Sequence, residues 1–457
     1  MKTLLLAALP LLLRGPSLVG AAAAPTDSEI QRVLRECVEQ DKRATGIIVG
    51  WVDGSGSRIV GYGTRDGKTA VDGDTVFEIG SVTKTFTATL LELMIERGEL
   101  TLDAPAQQYL PATVKMPARG GQQITLRHLV THTSGLPRLP SNLKPEDPAN
   151  PYADYTVDQL YSFLNACTLK RDIGARYEYS NLGVGLLGHI LSLKAGTNYE
   201  ALVVREICRP LQMDSTRIQL APQLKARLAV GHNQAGVPVE NWDIPTLAGA
   251  GALRSTARDM MKYLAANMGT HPTPLATAMA NAQVIQGPAG SPEMSIALAW
   301  HVRKKFGSEI VWHNGGTGGY HSFIGFDRTN RQGVVVLSNS ASDIDDIGWH
   351  LLNPEFKLNH PKVRQIANID HTVYAEYAGQ YELAPGVRFT ITREGERLFA
   401  QLTGQQRFEV YPESETDFFY TVVDAQLTFE RKNGKVVGVV LHQNGRDQTA
   451  TRVKDAL

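Results

Sequence analysis

Cysteine, an excess of either charge and long apolar runs are what this 457-residue chain has little of, and each shortage removes a class of protein. Three cysteines, Cys37, Cys167 and Cys208, allow at most one disulfide, and their spacing matches no zinc site. Lys plus Arg and Asp plus Glu both number 46. With no basic stripe interleaved with aromatics, nothing points to nucleic acid as a partner. The N-terminal apolar run, Leu4 to Leu13, is too short for a stable membrane span. No serine has the Gly-x-Ser-x-Gly surround of an α/β-hydrolase. The glycines from Gly315 to Gly319 lack the Lys-Ser or Lys-Thr that completes a phosphate loop. His128 and His132 stand four apart, but no glutamate lies between them and a Ser-Gly turn follows, so they read as structural rather than as metal ligands. Neither a metal nor an organic cofactor is implied.

What is present begins with a leader. Lys2, the apolar run and the small residues Ala21 to Ala24 form the three-part pattern of a secretory signal over residues 1–24, which predicts an exported, periplasmic or secreted protein. The remainder is 42% hydrophobic over the whole chain and too long for one ordinary domain, so two are expected. Thr26 followed by Glu29 predicts a capped first helix whose apolar face, Ile30, Val33, Leu34, Cys37 and Val38, makes Cys37 a buried small side chain. Strands follow at 46–52 and 58–63, then a largely helical middle, then strands again at 310–312, 322–326 and 333–338. The last of these alternates little and reads as buried on both faces. First and last strands with helices between imply one sheet whose ends meet, with a helical region inserted.

Residues 356–370 read as a linker. Beyond it the character changes to about eight short strands, at 379–383, 388–393, 397–403, 408–412, 418–422, 425–430, 436–442 and 448–453. Turn signals at Glu394-Gly395, Asn433-Gly434 and Asn444-Gly445 separate some of them. An up-and-down antiparallel barrel of lipocalin-like size over 371–457 is the expectation.

Three segments carry chemistry. In Ser81-Val82-Thr83-Lys84 a hydroxyl and an amine stand one helical turn apart, after the strand end and tight turn of Phe77 to Gly80 and before the apolar-periodic run Phe86, Leu90, Leu91, Met94, Ile95. The positive end of the helix dipole favours the alkoxide of Ser81 and the neutral amine of Lys84. A second Ser-x-x-Lys, Ser141 to Lys144, lies between Pro140 and Pro145 and cannot open a useful helix. In Tyr179-Ser180-Asn181, a tyrosine beside a lysine can act as phenolate base and later as acid, and Asn181 offers a carboxamide to a substrate amide. In His313-Asn314-Gly315-Gly316, glycines at a strand end let a substrate lie against the edge and leave N–H groups free for an oxyanion.

The order of these motifs resembles the penicillin-recognising serine hydrolases: class C serine β-lactamases and the DD-peptidases and esterases that share their fold. The segment Leu129 to Leu136 resembles one common in that superfamily. The resemblance implies an α/β (α+β) β-lactamase/transpeptidase-like domain over 25–355, with an antiparallel sheet and a helical subdomain. It makes Ser81 the acylated nucleophile, Lys84 its base and Tyr179 the proton shuttle to the leaving group. Asn181, His313, Gly315 and Gly316 would bind substrate, with the Ser81 and Gly316 N–H groups as the oxyanion hole. The implied substrates are β-lactams and D-alanyl-D-alanine peptides. An esterase or D-aminopeptidase of the same fold is the alternative, and a non-turnover penicillin or peptidoglycan sensor is the alternative of another class. His313 stands where class C β-lactamases have lysine, and a partly charged histidine would clamp a carboxylate weakly.

Overall fold

The computed structural model describes residues 24–360, 364, 366–405, 407–420, 425–443 and 446–453. The expected signal segment, the Asn444-Gly445 turn and the end of the strand expected at 418–422 therefore lie outside the described residues, apart from residue 24 and residues 418–420.

Helix α1 (Asp27–Arg35) opens on the expected capping box, in which the Thr26 hydroxyl accepts from the Glu29 N–H and Glu29 returns a carboxylate to the Thr26 N–H. Strands β1 (Gly46–Asp53) and β2 (Gly56–Gly63) form a hairpin. Helix α2 (Thr83–Glu96) ends just before Gly98, which takes φ 70. It is buried on every side from Thr83 to Met94, so it is a central helix rather than an amphipathic surface one. Helix α3 (Asn181–Ala195) is stopped by Gly196 in the left-handed region, and α4 (Ala257–Asn267) packs across the sheet.

The sheet is completed by β3 (Gly287–Ala289), β4 (Ser291–Ile296), β5 (His301–Lys305), β6 (Ser308–Gly316), β7 (His321–Asp327) and β8 (Gln332–Ser338). Its order is β2-β1-β8-β7-β6-β5-β4-β3, antiparallel throughout. The ends of the chain segment meet as expected, with Ile47 opposite Ser338, and every residue of β8 is buried. Three strands, β3 to β5, were not expected from sequence. Pro288 and Pro292 interrupt the pattern there, as proline does on edge strands. One face of the sheet packs against the helical region, including α2 and α4. The other packs against α1 and helix α5 (Asp345–Leu352), where Trp349 meets Phe356 at 5.5 Å between ring centroids. The sheet between two helical layers hides both faces of its central strands.

From Gly379–Ala384 to Arg446–Arg452, eight strands close into an antiparallel barrel. Its interior is filled by side chains. Tyr374, Tyr377, Tyr381, Phe389, Phe418 and Phe429 are all 2% exposed or less. Tyr377 stacks on Phe429 at 4.0 Å and donates its hydroxyl to the Glu415 carbonyl. Cys37 and Cys208 are buried, and all three cysteines are free thiols.

Candidate active site

A short strand, Val76–Glu78, pairs with Arg254–Thr256 and delivers the chain to Gly80, whose φ of 46 turns it sharply. Ser81 lies in the 3₁₀ turn Gly80–Val82 that feeds α2. The turn is pinned from several sides. The Ile79 N–H donates to the Leu253 carbonyl at 3.0 Å, and the Ser322 hydroxyl, from β7, donates to the Ile79 carbonyl at 2.8 Å. Beneath it the Glu78 carboxylate pairs with Arg254 at 3.2 Å, both side chains being buried. Burial raises the Glu78 carboxyl above its ordinary value, and Arg254 opposes that rise. The same pair grips Trp242, whose N–H donates to Glu78 and whose carbonyl accepts from Arg254.

Lys84 is 0% exposed, and its Nζ lies 2.8 Å from Ser81 Oγ and 2.6 Å from the Ala250 carbonyl. Burial holds its ammonium well below the ordinary lysine value, and the nearby positive charge of Arg138 adds to that. The neutral amine expected from sequence is therefore produced chiefly by desolvation, with no contribution from the helix dipole needed.

Tyr179 enters from the opposite side. It precedes Ser180, which caps α3 by accepting from the Gly183 N–H and ties the loop by donating to the Pro137 carbonyl at 2.7 Å. The Lys84 amine sits 4.9 Å from the centre of the Tyr179 ring. Burial pushes the Tyr179 phenol up to about 12, while its hydrogen bond with Ser81 opposes the rise. The resting form is thus the phenol, a proton donor, and the phenolate base read from sequence is replaced by Lys84 in that role. Asn181 is the first residue of α3; its side chain hydrogen-bonds Tyr152 and leaves Oδ1 buried with no partner. That oxygen can accept a substrate amide N–H.

Strand β6 forms the remaining wall. A side-chain carbon on Gly315 would come within 2.1 Å of the Ile79 carbonyl oxygen and 2.9 Å of the Ser81 nitrogen, so only glycine lets the strand lie against the nucleophile turn. Gly80 meets Gly316 just as closely. The Ser81 and Gly316 backbones therefore border one cleft, together with Tyr152, Asn181, Trp242, Leu247 and Thr317. His313 is on the same strand but 0% exposed. Its Nδ1–H donates to the Asn314 carbonyl, and its Nε2 is buried without a partner. Burial lowers its imidazolium well below the ordinary histidine value, reinforced by His301 and Lys84. It is neutral, not partly charged.

Sequence reasoning left out several residues that shape this site. His132, read as structural, leaves the helix Leu126–Val130 at φ 59 and stacks on the Tyr179 ring at 4.4 Å, with Nδ1 accepting from the Ser180 N–H at 3.1 Å. Its presence in the Leu129 to Leu136 segment was the available signal. His128, by contrast, turns back to cap its own helix through Thr125, so the two histidines share no ligand position. His301 bonds the Tyr177 hydroxyl at 2.9 Å and lies 5.3 Å from His313, closing an uncharged imidazole layer behind Tyr179. Arg138 stands 5.1 Å from the Tyr179 ring centre. Ser141, the decoy, sits in an exposed turn.

Residues 30–351 match the Beta-lactamase family, and residues 364–453 match a Domain of unknown function (DUF3471). The chain is 25% identical over 420 residues to Penicillin-binding protein 4* of Bacillus subtilis (strain 168), covering 86% of this chain and 91% of that one. It is 34% identical over 225 residues to the D-alanyl-D-alanine-carboxypeptidase/endopeptidase AmpH of Escherichia coli (strain K12), covering 48% of this chain and 57% of that one. Among solved structures, a class C beta lactamase from Rhodobacter sphaeroides superposes with a TM-score of 0.62 at 25% identity, over 71% of this chain and 99% of that one.

Proposed function

The chain belongs to the Beta-lactamase family and is a serine hydrolase, and from that premise we propose that Ser81 is its acylated nucleophile, acting on β-lactams and on D-alanyl-D-alanine peptides. The observation that carries this reading is the buried, uncharged Lys84 amine 2.8 Å from Ser81 Oγ, with the Tyr179 phenol beside both. Lys84 takes the Ser81 proton as the Oγ–carbon bond forms, and the carbonyl oxygen draws on the Ser81 and Gly316 N–H groups. Tyr179 gives its proton to the leaving atom as that bond breaks and is reprotonated from Lys84. Water then hydrolyses the ester. Asn181 Oδ1 holds the acyl-side amide.

A cephalosporin, an acyl-D-alanyl-D-alanine, a D-amino-acid amide and a short-chain aryl ester, offered to the purified protein with mass spectrometry, test this. An adduct on the peptide containing Ser81, lost in Ser81→Ala, is expected. Turnover in Ser81→Ala sinks the assignment.

One observation favours a second substrate reading within the same fold. The neutral, enclosed His313 cannot pair with a carboxylate, which suits an esterase or D-aminopeptidase better than a carboxylate-clamping β-lactamase. The highest kcat/KM on the aryl ester or the D-amino-acid amide would select it. We also propose export, on the signal pattern of residues 1–24; a mature N-terminus near residue 25 in a secreted or periplasmic fraction is the expected result, and an intact N-terminus in the cytosol overturns it.

A further inference from the structure

A carboxylate beside the scissile bond needs a cation, and the two basic side chains nearest Ser81 along the motifs do not provide one. Lys84 is enclosed and committed to Ser81 and to the Ala250 carbonyl. His313 is enclosed and spends its one N–H on Asn314. Arg138 differs in each respect. Its guanidinium is exposed, and among the described residues it forms no ion pair and no side-chain hydrogen bond. Its backbone is fixed to the tyrosine element: the Leu182 N–H donates to the Arg138 carbonyl at 3.1 Å, and the preceding Pro137 carbonyl accepts from Ser180. Its head is 5.1 Å from the Tyr179 ring centre. The charge also reaches inward, disfavouring the protonated forms of Lys84 and His132 and favouring the ionised forms of Tyr152 and Tyr177.

We propose that Arg138 recognises a carboxylate carried by the leaving group, giving this chain a preference for acyl compounds whose departing amine bears a free acid, such as a terminal D-amino acid. The inference rests on the acyl-enzyme reading above. It follows from position: Tyr179 is the donor to the leaving nitrogen, a D-amino-acid leaving group holds its carboxylate one carbon from that nitrogen, and Arg138 overhangs the same phenol. A guanidinium offers the fork that a carboxylate fills with two parallel N–H bonds. Neutral esters make no use of it.

The test is a matched pair, an acyl-D-alanyl-D-alanine and its C-terminal carboxamide, with an aryl ester as a third substrate. The ratio of kcat/KM for acid over carboxamide is expected to fall about 10- to 100-fold in Arg138→Gln. Arg138→Lys, which keeps the charge without the fork, is expected to fall between Arg138→Gln and the natural protein. An unchanged ratio, or an equal loss on acid, carboxamide and ester, overturns the assignment and makes Arg138 a support for Tyr179 alone, while a Ser81 adduct formed from the ester keeps the acyl-enzyme reading intact. Absence of any Ser81 adduct in the natural protein removes that reading and this one with it.

Discussion

The catalytic region and the C-terminal barrel bury different things. Among the described residues, every buried polar or charged side chain lies before residue 354, including Arg43, Glu78, Lys84, Glu92, Arg254 and Asp259. The barrel core is built from tyrosine, phenylalanine and aliphatic side chains, with its arginines paired on the surface to Glu376, Glu409 and Glu413. Burying a polar group is unfavourable unless it is partnered. The catalytic region accepts that penalty where the chemistry needs a depressed amine, and the barrel avoids it. Stability and reactivity are therefore expected to come apart under mutation.

The largest effect separates them at Lys84. Lys84→Met keeps most of the volume and removes the amine, so acylation is expected to fall by about 10³-fold or more, while the melting temperature holds or rises. Acylation kinetics and calorimetry check it. A melting temperature lowered by many degrees would make the lysine structural and break the contrast. In the natural protein, kcat/KM should fall as the pH drops through the lowered amine value. The Tyr179 phenol, at about 12, imposes no loss between neutrality and pH 10.

The converse change is Phe429→Ala in the barrel. It removes the partner on which Tyr377 stacks and is expected to destabilise the barrel by about 3–5 kcal/mol. All five tryptophans, Trp51, Trp242, Trp300, Trp312 and Trp349, precede residue 355, so their fluorescence reports the catalytic region alone. The tryptophan transition should hold its position while tyrosine-sensitive circular dichroism melts early. Coincident early loss of both signals would show that the two regions share stability. Gly315→Ala is smaller and strikes the site rather than the core. The added carbon meets the Ile79 carbonyl, moves β6 off the nucleophile turn, and should lower kcat/KM about 100-fold at near-constant tryptophan melting.

Much of this was legible in the sequence, for physical reasons that also mark where legibility stopped. The Thr26 to Glu29 cap, the Ser81 turn, β8 and the barrel strands are local patterns, and local patterns survive into the fold. Strands β3 to β5 were hidden because edge strands carry proline and mixed exposure. The enclosure of α2 could not be read because burial on all sides depends on partners far along the chain. His132 and Arg138 belong to no spacing rule. They reach Tyr179 only because Ser180 and Leu182 bond back to the loop that carries Pro137 and Arg138.

The smallest effect concerns acid. His301 has an ordinary value of 6.5 and about 4 in the fold, lowered by burial and by Lys84. Below 6.5 the unfolded chain binds a proton that the folded chain refuses, so this histidine's contribution is intact above 6.5 and lost as the pH falls toward 4. His132 and His313 act in the same direction, while Glu78, Asp259 and Asp345, raised by burial, act in the opposite one. A difference measurement isolates the effect. His301→Gln keeps an acceptor for the Tyr177 hydroxyl and cannot titrate, so the natural protein should lose about 2 kcal/mol more than the variant between pH 6.5 and 4 in tryptophan-detected urea unfolding. In the barrel, Asp370 and Asp417 are lowered from 3.8, which places their acid loss below that window. Equal slopes for natural protein and variant would mean that the imidazole layer admits protons without penalty, and the contrast between a strained catalytic core and a relaxed barrel would lose its electrostatic basis.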